Sequence, residues 1–394
     1  LASGTTFLEI SGKNAAQIPV PVAPAAEQER IADALDELFS DLDAGVAALE
    51  RVREKLKLYR ASVLKAAVEG ALTAEWRQQH PHTEPASELL KRILAERRHR
   101  WEEDQLAKLK AKGQQPPKNW KAKYKEAVAP DTTDLPPLPE GWCWSSLGQC
   151  FEVGVGATPS RAKKSYWGGD IPWVASGEVQ FCRILHTREK ITGDGLANSS
   201  TRLNPAGSVI LNMIGEGRTR GKAGILDIAA CNNQNCAAIW VSLTPVQPRF
   251  IYLWLLFQYE QTRELGSGNN QPAMNKSIVE GITFPLPSLA EQEAIVEVVE
   301  DQLSVIDHLE ADLDAKLKSA RALRQAILRH AFTGRLVPQN PNDEPAPKLL
   351  KRIAAERESR ARQAVAAKRG TKNTNATRMG RRRGRAKMTA WERS

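Results

Sequence analysis

Ala26-Glu27-Gln28-Glu29, followed by Ile31, comes back later in the chain as Ala290-Glu291-Gln292-Glu293, followed by Ile295. The match runs without a gap, at a constant offset of 264, from Ser3–Leu72 to Ser267–Leu336. Ile18 and Pro21 return as Ile282 and Pro285, and Asp43, Leu49, Arg60, Leu64 and Gly70 return as Asp307, Leu313, Arg324, Leu328 and Gly334. After a four-residue slip, Glu84-Pro85-Ala86 and Leu89–Ile93 reappear as Glu344-Pro345-Ala346 and Leu349–Ile353. A period this long excludes a solenoid and implies two modules, each a globular body followed by a helical arm. The body at 135–289 is whole, whereas 1–25 reads as the remnant of a first body. The repeat predicts that about 130 residues of that first body precede Leu1 in a complete module.

The arms are placed at 26–100 and 290–367. In the first, Ile31, Leu35, Leu38, Leu42, Leu49, Val52, Leu56, Tyr59 and Val63 follow a three-four spacing, with Gly45 as the weak rung. That is the pattern of a coiled-coil seam. The second arm offers Ile295, Val299, Gln302, Ile306, Leu309, Leu313, Lys316, Ala320, Leu323 and Ile327 at the matching places. The two seams are unequal, one bulky where the other is small or polar. They are expected to pair with each other as an antiparallel coiled coil, a rod of about 50 Å at ~1.5 Å per residue. The fold class expected is α+β: one mixed α/β body plus two long helices. Between them, 101–134 is charged and then rich in Lys and Pro, and reads as a linker.

Bulk composition is a weak guide. Of the formal net charge of +10 over 394 residues, the segment 368–394 carries nine, with ten Lys or Arg against the single acid Glu392. That tail, poor in apolar residues, is expected to be disordered and able to hold polyanions without reading sequence. The rest is near neutral. No apolar run approaches the ~20 residues of a membrane span. The chain opens on Leu1-Ala2-Ser3-Gly4, with neither an initiator Met nor a basic-then-apolar leader, which suggests a fragment. The five cysteines follow no CxxC spacing and suit a reducing, cytoplasmic setting. No metal site and no cofactor are expected.

From Gly141 onward short strands are predicted at Ile171–Val174, Ser208–Leu211 and Ala237–Val241, mostly antiparallel, with a helix over Phe250–Gly266. Polar loops lie between them. Thr158, Ser160, Arg161, Lys163 and Lys164 follow a glycine. Arg218, Arg220 and Lys222 are set among the glycines of 215–222. Asn232, Asn233, Gln234 and Asn235 precede a strand, and Asn269, Asn270 and Gln271 precede the second arm. Arg and Lys suit guanine edges and phosphates, and Asn and Gln match adenine with two hydrogen bonds. Glycines let backbone approach a duplex closely. These fifteen residues are the candidate DNA contacts.

Two catalytic look-alikes fail on spacing. Gly215–Lys222 has five residues between its outer glycines where a phosphate-binding loop has four, and Ala223 stands in the place of the Ser or Thr that binds Mg²⁺. Asp134-Leu135-Pro136-Pro137-Leu138 lacks the proline next to the acid and the aromatic of an amino-methyltransferase motif. No catalytic residues are assigned.

Pro139-Glu140-Gly141-Trp142, Gly156-x-Thr158-Pro159-Ser160 and Tyr166-Trp167-Gly168-Gly169-x-Ile171-Pro172-Trp173 resemble the start of a target recognition domain. Asn233-Gln234-Asn235 and Pro285-Leu286-Pro287-x-x-Ala290-Glu291-Gln292 are similar to its close. With the duplicated arm, they resemble type I restriction-modification specificity subunits. That resemblance implies a non-catalytic, sequence-specific DNA-binding subunit in which each recognition domain reads one half of a bipartite double-stranded DNA target. It further implies helices that set the gap between the halves and dock methyltransferase subunits, which bind S-adenosylmethionine, with motor-nuclease subunits joining them. A chain with one whole recognition domain is expected to read one half-site. A structural coiled-coil adaptor, or a fragment of a fused restriction-methyltransferase, remain the alternatives.

Overall fold

The computed structural model describes residues 10–215, 219–265 and 273–364. Two compact units emerge, Leu1–Arg53 with Ala311–Ser394, and Glu54–Glu310. Two 44-residue helices, α1 at Ala25–Val68 and α4 at Leu289–Phe332, contribute to both. Both end in the same way. Gly70 (φ +71°) and Gly334 (φ +67°) take the left-handed conformation after the last turn. Ala71 N–H then reaches back to Ala66 O, and Arg335 N–H to His330 O, each at 2.8 Å. This is a glycine-terminated cap of the kind a β-carbon would strain.

The helices pair with each other, as the unequal seams suggest, and they run antiparallel. In the unit Glu54–Glu310, Arg60 bridges Asp307 and Glu310 of the facing helix, the latter at 3.1 Å. In the other unit, Arg324 bridges Asp43 at 2.9 Å and lies over the Phe39 ring, and Arg53 meets Asp314. At the offset of 264, Arg60 and Asp307 correspond to Arg324 and Asp43, so the repeat writes one ion pair twice. At 44 residues each helix is ~66 Å long, more than the seam alone implies.

Alternate rungs differ from the expected seam. Phe39, Val46, Arg53 and Arg60 turn inward in place of Leu38, Gly45, Val52 and Tyr59, and Glu310, Leu317 and Arg324 replace Leu309, Lys316 and Leu323. A heptad seam fixes its average spacing but not which rungs take the step of three and which of four. Here arginine stems lie in the seam and their guanidiniums pair across it. Leu38, Val52, Tyr59, Leu309 and Leu323 are left exposed.

After α1 the chain turns into helix α2 (Ala86–Ala111), which runs through the 100/101 boundary read from the sequence. Beyond it, Trp120 and Tyr124 fold back onto Trp101, at 5.9 and 5.3 Å between ring centroids.

Among the described residues the body at 135–289 holds ten short strands: β1 Cys143–Ser146, β2 Val153–Val155, β3 Trp167–Val174, β4 Cys182–Ile184, β5 Glu189–Ile191, β6 Val209–Asn212, β7 Ala223–Leu226, β8 Cys231–Asn232, β9 Cys236–Ile239 and β10 Thr283–Leu286. They form sheets of order β1-β10, β2-β9-β6-β7-β4 and β5-β3-β8. Only β4–β7 and β3–β8 are parallel among them. β6, β7 and β9 are buried along their whole length, in keeping with the runs Val209–Leu211, Ala223–Leu226 and Cys236–Ile239, and buried Asn212 donates to Ser176 O and Val179 O. Helix α3 (Pro248–Phe257) packs on this sheet, and Trp254 donates its indole N–H to Thr283 O at 3.1 Å. The expected single helix to Gly266 is broken at Gln258, and a second short helix covers Tyr259–Glu264.

The cysteines are free. Burial pushes the Cys231 thiol up to about 11 and the Cys150 thiol up to about 12, and raises Cys236 further. A thiol held protonated in the folded state adds stability that is complete below its unfolded pKa of ~8.5 and is lost as pH rises toward the folded value. Unfolding titrations of the native chain and of Cys150→Ala should therefore converge between about pH 9 and 12. A constant gap across that window would refute the assignment. No described helix is long and apolar enough to cross a membrane.

Candidate nucleic-acid interface

Two of the loops singled out in the sequence, at 156–158 and 232–235, meet at the ends of β2, β8 and β9. Ala157 N–H donates to Asn232 O at 3.0 Å, Gly156 N–H to Cys236 O at 3.3 Å, and Thr158 Oγ1 to Gln234 Oε1. A β-carbon on Gly156 would overlap the carbonyl oxygens of both Asn232 and Asn233, so only glycine lets the 156–158 and 232–234 loops lie together. Trp173 closes the seam from behind with an indole N–H to Ala157 O at 3.0 Å.

The candidate residues fall into two groups. Asn232 is buried, and its amide donates to Asn233 O and Cys236 O while its oxygen accepts from Asn204. Asn233, also buried, accepts from Asn235 N–H at 3.1 Å and shapes the turn. Arg161 stacks on Trp167 at 3.6 Å and pairs with Glu189 (Nη2 to Oε2, 2.8 Å), which holds the Glu189 carboxyl below its ordinary value. Arg220 donates to Arg263 O, and Lys222 to Gln180 Oε1. These side chains build the loops. In contrast, Ser160, Lys164 and Gln234 stand exposed, as does Lys163, whose ammonium is steadied by Tyr166 Oη at 3.0 Å. Arg218, Asn269, Asn270 and Gln271 lie outside the described residues, as does the basic tail. Among the described residues no group of three His, Cys, Asp or Glu side chains could hold a metal ion.

By residue type Ala-Glu-Gln marks only a helix start, but it is also the anchor of the body. Glu291, buried in the first turn of α4, accepts from Trp142 Nε1 at 2.7 Å, from Thr73 Oγ1 at 2.7 Å and from Arg77. Arg77 also lies over the Trp142 ring. Next to it, Gln292 donates to Pro287 O and accepts from Gln247 N–H, each at 3.0 Å. Ala86 N–H, opening α2, donates to Gly141 O at 2.8 Å. The recognition body is thus fastened by Pro139–Trp142 to the junction of the arms. The signal is present in the sequence as an acid repeated at Glu27 and Glu291, but its partner is far away in the chain.

Residues 139–319 match the family described as the type I restriction modification DNA specificity domain. The chain is 24% identical over 367 residues to the type I restriction enzyme EcoDI specificity subunit of Escherichia coli, covering 90% of this chain and 72% of that one. It is 28% identical over 219 residues to the MjaIX specificity subunit of Methanocaldococcus jannaschii, covering 53% of this chain and 46% of that one. A solved structure, described as the structural basis of complex assembly and conformational transition of the type I R-M system, matches with a TM-score of 0.57. It shares 16% identity, covering 84% of this chain and 65% of that one, which is a likeness of fold. Residues 139–319 thus match the type I restriction modification DNA specificity domain, and over most of its length the chain is similar to type I restriction enzyme specificity subunits.

Proposed function

We propose that this chain is the DNA-reading subunit of a type I restriction-modification complex, with the body at 135–289 reading one half of a bipartite duplex target. The observation that carries this is the meeting of the 156–158 and 232–234 loops, with 159–164 continuing the first of them. There exposed Ser160, Lys163, Lys164 and Gln234 stand on a scaffold whose own amides are already hydrogen-bonded. The lysines meet phosphates, which position the domain, and Gln234 and Ser160 meet base edges, which specify. Arg218 and Asn269–Gln271 are proposed as further contacts. The paired helices act as the spacer between half-sites; ~66 Å corresponds to about two turns of duplex. The exposed apolar residues of α1 and α4 dock methyltransferase subunits, which carry the methylation chemistry in the cytosol, and motor-nuclease subunits join these.

Single Lys163→Ala and Lys164→Ala variants are expected to weaken binding to target and random duplex alike, and to lower the slope of log affinity against log salt by about one each. Gln234→Ala is expected to relax preference at one base position, a change of ~1–3 kcal/mol in discrimination. Titration of labelled duplexes across salt concentrations reads both effects. A chain that prefers no duplex over random sequence would leave the adaptor reading in its place.

A further inference from the structure

Within the unit Glu54–Glu310, a groove of about 1180 Å³ runs between α2, the segment 120–125 that folds back on it, and the side of the body at Glu152, Arg202 and Trp240. Its walls are built by specific contacts. Gly113 (φ +65°) ends α2, Gln114 N–H reaches back to Leu109 O at 2.9 Å, and the chain turns round. The returning segment is held along the helix by Trp120 on Trp101, by Lys121 with Glu102 at 2.7 Å and by Arg98 with Glu126 at 3.2 Å. From α2, Arg97 donates to Gln149 O at 3.0 Å and Arg100 to Leu243 O at 2.9 Å, which joins the helix to the body.

The lining carries seven Lys or Arg against three acids, so the groove attracts anions. Arg202 is paired with Glu152 at 2.7 Å, and Arg100 lies 3.7 Å from Glu96. Lys108, Lys123 and Lys125 are exposed and make no ion pair among the described residues, and Asp104 is the acid left to oppose them. Single-stranded nucleic acid is held by bases lying on open ring faces. Here Trp101 already stacks on Trp120, Tyr124 meets Trp101 at 5.3 Å, and Arg202 covers Trp240. That leaves free cations and engaged rings, a combination for carboxylates rather than bases.

The groove is also set apart from the loops at 156–158 and 232–235. β2 and β9 carry those loops at one end and Glu152 and Trp240 at the other, four residues or about 13 Å away along the strand. Small-ligand clefts run to ~1,000 Å³, and this one is of the size for a short extended peptide.

We infer that this groove binds an acidic, extended segment of a partner protein, whose carboxylates meet Lys108, Lys123 and Lys125. The inference does not depend on DNA binding.

The test uses the full chain and fluorescein-labelled decaglutamate, read by anisotropy at 0.15 M salt, where the diffuse pull of distant charges is screened beyond ~8 Å. The peptide is expected to bind. Lys123→Glu with Lys125→Glu, at exposed positions that do not threaten folding, should weaken binding about tenfold or more, and Lys123→Arg with Lys125→Arg should retain it. The same reversal in the basic tail, Lys368→Glu with Arg369→Glu, should cost less than about twofold. No binding up to millimolar peptide, or equal losses from the two reversals, overturns the inference. Displacement of the peptide by a ten-nucleotide oligothymidylate, itself weakened by the reversal at Lys123 and Lys125, would give the groove to nucleic acid and likewise overturn it.

Discussion

Replacing Glu291 by alanine is expected to cost about 3–5 kcal/mol, the range for removing one partner of a buried charge pair. Its carboxylate receives the Trp142 indole, the Thr73 hydroxyl and Arg77 in one buried site, so its loss strands three donors at once. The expected phenotype is more than a lower midpoint in denaturant. Trp142 fastens the start of the recognition body to the arms, so the body should also become sensitive to proteolysis at Leu135–Gly141. Trp142→Phe removes one donor and leaves an aromatic ring in place, so its cost should be clearly smaller, on the order of 1–3 kcal/mol. Equal losses in the two variants would mean that Glu291 acts only as a helix-starting residue.

Gly156→Ala should be the most damaging single methyl group in the recognition body. The new carbon would overlap the backbone carbonyls of Asn232 and Asn233, and backbone cannot rotate aside as a side chain can. The strain expected is ~1–3 kcal/mol or more, relieved by parting the 156–158 loop from the 232–234 loop. On the proposal that those loops carry the DNA contacts, affinity for the target duplex should fall at least about tenfold. Gly154→Ala, two residues earlier on β2 with open space at its β-carbon, supplies the control and should change stability by less than ~0.5 kcal/mol. Melting curves and duplex titrations of the two variants side by side separate the effects. If Gly156→Ala bound DNA as the native chain does, the seam would have no part in recognition.

What could be read from the sequence, and what could not, follows from the range of each interaction. The arms and their pairing were legible because a coiled coil writes its partner surface into local spacing. The inward rungs are not set by spacing alone. Whether Tyr59 or Arg60, and Leu323 or Arg324, faces inward is decided by Asp307 and Asp43 on the other helix. Likewise Asn232 and Asn233 resemble adenine readers by residue type. Only the fold reveals that their amides close on Asn204, Cys236 and Asn235 instead. The break of the helix at Gln258 has no Pro or Gly to announce it.

The pairing of β1 with β10 sets Cys143 opposite Leu286 and Ser146 opposite Thr283, so the recognition body leaves the arms and returns to them at the same place. The loops proposed to contact DNA all lie between those two strands, while the latch at Trp142 and Glu291 lies outside them. The body is in effect a plug-in cartridge. A different sequence between Leu147 and Ile282 could be inherited in a single exchange, replacing the loops while leaving the β1–β10 pair and the Trp142–Glu291 latch as they are.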